Sequence, residues 1–232
     1  MIMWKISLLL ILFLSLFARA DSLSAEFEFG LLATSGNSDG QSINSQLSFL
    51  KDMNNWVYKG GVTALFSSSN KETSAEKYSL TLQADKTLLE EKSFYLLLTN
   101  EDDRFSGFDH QTSVGLGYGQ QLLGTDKHTL RFEIGPGYRI NALIGQSDEK
   151  ELTLRIGESY QWQMSKTATF AQYLRVEGGD DNTISRFGVQ LKSQLLANLA
   201  LNIGVDIKYT EQVPSGSEHA DSETYARIAY QF

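Results

Sequence analysis

Cysteine is absent from the 232 residues, which excludes a disulfide framework and a thiolate metal site. Proline is nearly absent, with Pro136 and Pro214 alone. No Pro-rich or Ser-rich tract divides the chain, so a single domain is the economical reading. Histidine is confined to His110, His128 and His219, which restricts the usual base for serine chemistry to three positions. Positive charge is in deficit, with 20 Lys and Arg against 28 Asp and Glu and a net charge of -8. Phosphate binding rests on clustered Lys and Arg, so nucleic acid is not an expected partner. Beyond the N-terminus no apolar run approaches the roughly 20 residues that a membrane helix needs.

The N-terminal apolar run has another explanation. Met1 to Lys5 give a short basic start, Ile6 to Phe17 are almost wholly apolar, and Ala18-Arg19-Ala20 has the small-x-small form of a cleavage site. Residues 1–20 are therefore expected to be an export signal and 21–232 the mature domain. Removing Lys5 and Arg19 leaves 18 basic residues against 28 acidic, a net charge of -10.

What the mature chain has in abundance is alternation. Side chains point to opposite faces of a strand with period two, and from Ser24 onward the chain falls into twelve segments of alternating hydrophobicity separated by polar turns. Ala25, Phe27, Phe29 and Leu31 oppose Glu26 and Glu28 in the first. Leu130, Phe132, Ile134 and Tyr138 oppose Arg131, Glu133 and Arg139 in the seventh, and Leu152, Leu154 and Ile156 oppose Thr153 and Arg155 in the eighth. The fifth, Ser93 to Thr99, is a solid apolar run whose face the period leaves open. The last, Thr224 to Phe232, places Ile228, Tyr230 and Phe232 on one face and Arg227 on the other. A closing strand that ends on an aromatic suits an outer-membrane barrel, which needs apolar groups toward lipid and aromatics at the interface. Ile228, Tyr230 and Phe232 are accordingly expected to form the signal read by the barrel assembly machinery.

Linker lengths point the same way. Short links at 52–55, 90–91, 124–127, 165–167 and 197–198 alternate with longer polar ones at 67–74, 103–109, 141–149 and 211–222. That phase predicts an all-β transmembrane antiparallel barrel of about 12 strands with both termini periplasmic, in the outer membrane of a Gram-negative bacterium. A soluble sandwich also alternates, but its charged face would lie outside. Aromatics near strand ends, among them Trp56, Trp162, Tyr138 and Tyr209, favour lipid on the apolar side. Partners expected from this reading are outer-membrane lipid and lipopolysaccharide, with the chain a monomer that closes its own barrel.

At Glu101-Asp102-Asp103-Arg104-Phe105-Ser106-Gly107 and Gly135-Pro136-Gly137-Tyr138-Arg139 the chain resembles the bacterial family of YdiY-like, salt-induced outer-membrane proteins. Gly36-Asn37-Ser38-Asp39, Gly115-Leu116-Gly117-Tyr118 and Asp180-Asp181-Asn182-Thr183 extend the similarity over essentially the whole mature chain. The resemblance implies an outer-membrane barrel linked to salt or osmotic stress. The function of that family is uncharacterised, so it implies no catalytic or ligand residues.

Chemistry therefore has to be read from the face opposite the apolar stripe. Glu26, Glu28, Arg131, Glu133, Arg139, Arg155, Arg175, Glu177, Lys192, Asp206, Lys208 and Arg227 fall there. Charges at membrane depth must meet water or one another. They are expected to line a lumen, either as mutual ion pairs that hold the barrel round or as a narrow polar channel in which arginines attract small anions. The first reading is an envelope-stabilising barrel and the second a small pore. Acidic clusters at 101–103 and 180–182 lack the spacing of a calcium loop, so a solvated rim is expected; a barrel binding cations or partners through them is an alternative. Arg104 is expected to pair within the first cluster. Gly135-Pro136-Gly137 is expected to mark a bulge or bend. An outer-membrane hydrolase built on His110, Asp109 and Ser106 is the remaining alternative, although Ser and Asp beside Gly usually make turns. No catalytic residue, metal site or cofactor is assigned.

Overall fold

The computed structural model describes residues 23–34, 40–70, 72–143, 147–214 and 216–232. The expected export signal and the Gly36 to Asp39 motif lie outside them. Twelve strands follow one another: β1 (Leu23–Thr34), β2 (Gly40–Met53), β3 (Trp56–Ser69), β4 (Glu72–Leu89), β5 (Lys92–Asp103), β6 (Phe108–Gly124), β7 (His128–Leu143), β8 (Glu149–Gln163), β9 (Ala168–Gly179), β10 (Thr183–Leu196), β11 (Leu199–Thr210) and β12 (Ala220–Gln231). Each pairs antiparallel with its sequence neighbours, and β1 meets β12, so the sheet closes into a barrel with no free edge. Closure satisfies the backbone polar groups that a sheet edge would leave bare.

The apolar stripe faces outward all round. Phe29, Leu31, Leu116, Leu152, Leu154 and Ile228 are exposed on the outside, while Glu28, Arg139, Arg155 and Arg227 are buried within. This is the inverse of a soluble barrel and requires an apolar surrounding. The run in β5 resolves the same way: Tyr95 and Leu97 are 3% and 5% exposed, whereas Phe94 and Leu96 are both 55% exposed. Rings gather at the end where β1 begins and β12 finishes. Trp56 stacks near Tyr58 at 6.0 Å, His128 near Trp162 at 5.9 Å, and Tyr230 meets Phe232 edge-on at 5.0 Å. Polar pairs interrupt the outward stripe in places, as where Gln172 donates to Glu158 at 2.7 Å and Asn100 to Thr112 at 2.8 Å.

Strand length departs from expectation at the far end. Residues 67–74 do not form a long link: β3 continues to Ser69 and β4 begins at Glu72. The polar side chains there still alternate and pair, with Ser67 donating to Ser42 at 2.9 Å, so the ladder outlasts the apolar stripe. Strands of 12 to 18 residues exceed the about 9–11 that cross a bilayer when tilted. Links at the terminal end are short, and Asn54 takes a φ of 56° in the turn between β2 and β3. The seam between β1 and β12 is the shortest ladder, four residue pairs from Glu26↔Gln231 to Phe29↔Ile228. The Phe232 amide extends it by donating to Ala25 O at 2.9 Å.

Candidate functional site: the charged lumen

The interior is shaped first by glycine. Tyr95 of β5 lies directly opposite Gly117 of β6, Tyr173 of β9 opposite Gly188 of β10, and Tyr225 of β12 opposite Gly204 of β11. In each pair the ring lies where a side chain on the glycine would go; a Cβ on Gly117 would sit 2.6 Å from the Tyr95 hydroxyl. Gly119 plays the same part for Arg131. Each tyrosine also carries an arginine near its face: Arg155 at 5.5 Å from Tyr95, Arg175 at 4.5 Å from Tyr173, Arg227 at 3.6 Å from Tyr225. A guanidinium is drawn to the negative face of a ring. Gly135-Pro136-Gly137 causes no register shift. Its glycines instead let β6 and β7 approach closely, since a Cβ on Gly135 would lie 2.1 Å from Leu116 O.

Because β6 presents glycines, side chains from β5, β4, β7 and β8 meet over it. Asp85 receives Arg131 at 2.9 Å and Lys59 at 3.0 Å. Glu133 receives Arg131 and Arg155, each at 3.0 Å. Arg139 is buried between Glu151 at 2.6 Å and Glu177 at 3.1 Å and also donates to Asn182 O. The seam is stapled from inside: Arg227 of β12 meets Glu28 of β1 at 3.4 Å and Glu223 at 3.1 Å, while Lys192 of β10 pairs with Glu26. Of the remaining charges picked out by alternation, Glu177 also accepts from Ser113 at 2.8 Å and Asp206 from the Tyr173 hydroxyl at 2.8 Å.

Lys208 takes part in a longer reach. It meets Glu101 at 2.5 Å, and Arg186 meets the same carboxylate at 3.4 Å. Glu101 belongs to β5 and Lys208 to β11, on opposite walls of the closed order. An eight-stranded barrel is narrow enough for side chains to fill; twelve strands bridged by one ion pair mean a flattened cross-section. The far mouth is also partly roofed. Asn182 donates to Gln212 O at 2.6 Å and accepts from the Gln212 amide at 2.9 Å. A Cβ on Gly107 would lie 2.9 Å from Pro214 and 2.7 Å from Ser217, so the link after β11 rests against the turn after β5.

Two cavities lie within the lumen. The one toward the far mouth, 560 Å³, reaches Ser74, Phe105 and Ser222 at the rim. The one toward the terminal end, 290 Å³, reaches Gln121, Thr129 and Gln161. Tyr173, Arg175, Gln190, Asp206 and Tyr225 line both, so the two cavities adjoin there. Among the described residues Arg175 has no carboxylate within ion-pair reach; its guanidinium lies 4.5 Å from the centre of the Tyr173 ring.

Several of these residues escape a reading by alternation. Glu101 belongs to the lumen and not to a solvated rim, and Tyr95 shares its strand; the unassignable face of β5 hid both. Arg104 pairs with Glu76 of β4 at 3.0 Å and not within the acidic cluster. Lys59 is an inward charge inside the third segment, and Asp85, Arg186 and Glu151 are inward charges just beyond the apolar stripes of theirs. The hydrolase candidates do not converge. Ser106 Oγ donates to Asp103 O at 2.8 Å and accepts from the Phe108 amide at 3.3 Å, as a turn residue does. His110 lies 3.2 Å from its neighbour Asp109.

A closed antiparallel barrel, apolar outside and charged within, defines the class of transmembrane β-barrels. The chain belongs to the family described as "Protein of unknown function, DUF481", whose model matches residues 27–232. It is 28% identical over 210 residues to "Uncharacterized protein YdiY" of Escherichia coli (strain K12), covering 87% of this chain and 80% of that one. Among solved structures it is similar to the COG4313 outer membrane channel from Pseudomonas putida F1, with a TM-score of 0.56 at 12% identity over 92% of this chain and 96% of that one. The translocator domain of autotransporter NalP from Neisseria meningitidis gives 0.53 at 13% identity over 94% and 91%, and the NanC porin 0.51 at 11% over 91% and 99%. These likenesses are of fold.

Proposed function

We propose that the protein is an outer-membrane barrel whose lumen passes small polar solutes passively. The observation that carries this is the pair of cavities, one toward each end of the barrel, that share Tyr173, Arg175, Gln190, Asp206 and Tyr225 as lining. In this reading residues 1–20 are removed on export, both termini face the periplasm, and the charges of the lumen set selectivity. Lipid and lipopolysaccharide surround the barrel, the assembly machinery inserts it, and salt or osmotic stress is its physiological setting. The test is swelling of liposomes that contain the refolded mature protein, with arabinose as solute. Faster swelling than in protein-free liposomes supports the pore; no swelling with a folded barrel overturns it.

One observation favours a second reading. Glu101 joins opposite walls through Lys208 and Arg186, as a barrel whose interior charges serve rigidity would require. Absence of swelling together with loss of stability on Glu101→Gln would favour that envelope-stabilising role.

A further inference from the structure

Three cations stand in one row across the upper lumen. Arg175 of β9 is directly opposite Arg186 of β10, and Arg186 is directly opposite Lys208 of β11. Side chains so placed have Cβ atoms about 4.5–5.5 Å apart, and like charges there are destabilising. A carboxylate among them is the ordinary remedy, but Glu101, Glu133 and Glu177 are each held by other cations, and Asp206 accepts from the Tyr173 hydroxyl without pairing with Arg175. Glu101 serves Lys208 at 2.5 Å, Arg186 at 3.4 Å and Lys77 at 3.7 Å, three cations to one acid. Glu133 is held by Arg131 and Arg155, and Glu177 by Arg139. Among the described residues nothing acidic reaches Arg175, and Arg155 stands diagonal to it, opposite Glu177.

The surroundings of Arg175 are as particular as its charge. Its guanidinium sits 4.5 Å from the Tyr173 ring centre, and the residue lines both cavities. Tyr173 reaches Asp206 over Gly188, which has no side chain to obstruct it. Asp206 has no ion-pair partner among the described residues, so it keeps lone pairs for further donors. Gln190 and the Tyr225 hydroxyl border the same space. A group of donors for an anion thus adjoins acceptors for hydroxyls.

We propose that this row is a binding site for a small hydroxylated carboxylate, such as a sugar acid, with the carboxylate on Arg175 beside Arg186 and the hydroxyls toward Asp206, Gln190 and Tyr225. The cavities of 290 and 560 Å³ admit a ligand of that size. The site rests on the solvent-filled lumen of the proposed function and not on conduction from end to end. The bound carboxylate supplies the partner that Arg175 lacks, and that pairing is charge-assisted.

The test is calorimetric titration of sodium gluconate into the refolded mature protein in detergent micelles, with glucose as the uncharged control and chloride holding ionic strength constant. Saturable binding of gluconate and none of glucose is expected. Arg175→Gln and Arg186→Gln each weaken it by about ten- to hundredfold, the loss of one charge-assisted hydrogen bond or two. Arg104→Gln, outside the lumen and paired with Glu76, leaves binding unchanged. Without gluconate, Arg175→Gln unfolds at the same temperature as the wild type or higher, because a like-charge contact has gone; a structural arginine would show the reverse. No saturable binding to the folded wild type, equal binding of glucose, or full affinity in Arg175→Gln overturns the proposal. A barrel that binds gluconate but fails to swell liposomes sinks the pore and keeps the site; one that swells liposomes and binds nothing does the opposite.

Discussion

Arg139→Ala isolates the most enclosed ion network of the barrel. The arginine side chain is 1% exposed and that of Glu151 2%, so both charges are out of water. Arg139 donates to Glu151 Oε1 at 2.6 and 3.1 Å, to Glu177 Oε1 at 3.1 Å and to the carbonyls of Glu177 and Asn182. Truncation removes all of these and leaves Glu151 with the amides of Asp181 at 2.8 Å and Asn182 at 3.2 Å. Breaking a buried pair from one side costs about 3–5 kcal/mol because the other charge stays behind. The two retained amides stabilise the abandoned carboxylate, which places the expectation near the lower bound, about 3 kcal/mol. Urea unfolding in lipid vesicles, followed by the fluorescence of Trp56 and Trp162, reads the change without a reporter in the network. Arg139→Ala and Glu151→Gln together should cost clearly less than the sum of the two, since they share one interaction. A cost below about 1 kcal/mol, the size of an ordinary surface change, or strict additivity would refute the assignment.

Two further outcomes follow from the packing. Gly117→Ala puts a methyl 2.3 Å from Ile134 O, a backbone atom that cannot swing away, and 2.6 Å from the Tyr95 hydroxyl; a loss of about 1–3 kcal/mol is expected in the same unfolding assay. Gly115→Ala, whose nearest neighbour would be 3.7 Å distant, should stay within about 0.5 kcal/mol, and equal losses at both positions would contradict the close-approach argument. Deleting Phe232 removes both the aromatic that meets Tyr230 and the amide that extends the seam. Reduced heat-modifiable barrel in the outer membrane is expected in cells, and wild-type levels would count against a terminal assembly signal.

Architecture was legible in the sequence because a barrel between lipid and a polar lumen imposes alternation on every strand. Phe27 against Glu28, or Leu154 against Arg155, declares its face without any tertiary information. The same rule fails where both faces are apolar, as at Tyr95 and Leu97, and where both are polar, as at 67–74. It is also silent about distance around the barrel. Glu101 and Lys208 are 107 positions apart and meet only because the cross-section is flattened, which no local pattern encodes. The glycines of β6 looked generic in sequence, yet they are what allow Tyr95 and Arg131 to lie inward. Arg175 was visible as an inward charge. That it alone lacks a carboxylate among the candidates first read from alternation emerged only once every partner was placed.

Single-channel recording of the refolded mature protein in a planar bilayer tests the central claim most directly. Discrete small steps are expected, with a reversal potential under a salt gradient that favours anions. The preference should weaken in Arg175→Gln and strengthen in Glu101→Gln, where three cations lose their shared carboxylate. A silent bilayer containing barrel verified as folded, or a selectivity that neither substitution moves, would contradict a conducting lumen governed by this cationic row.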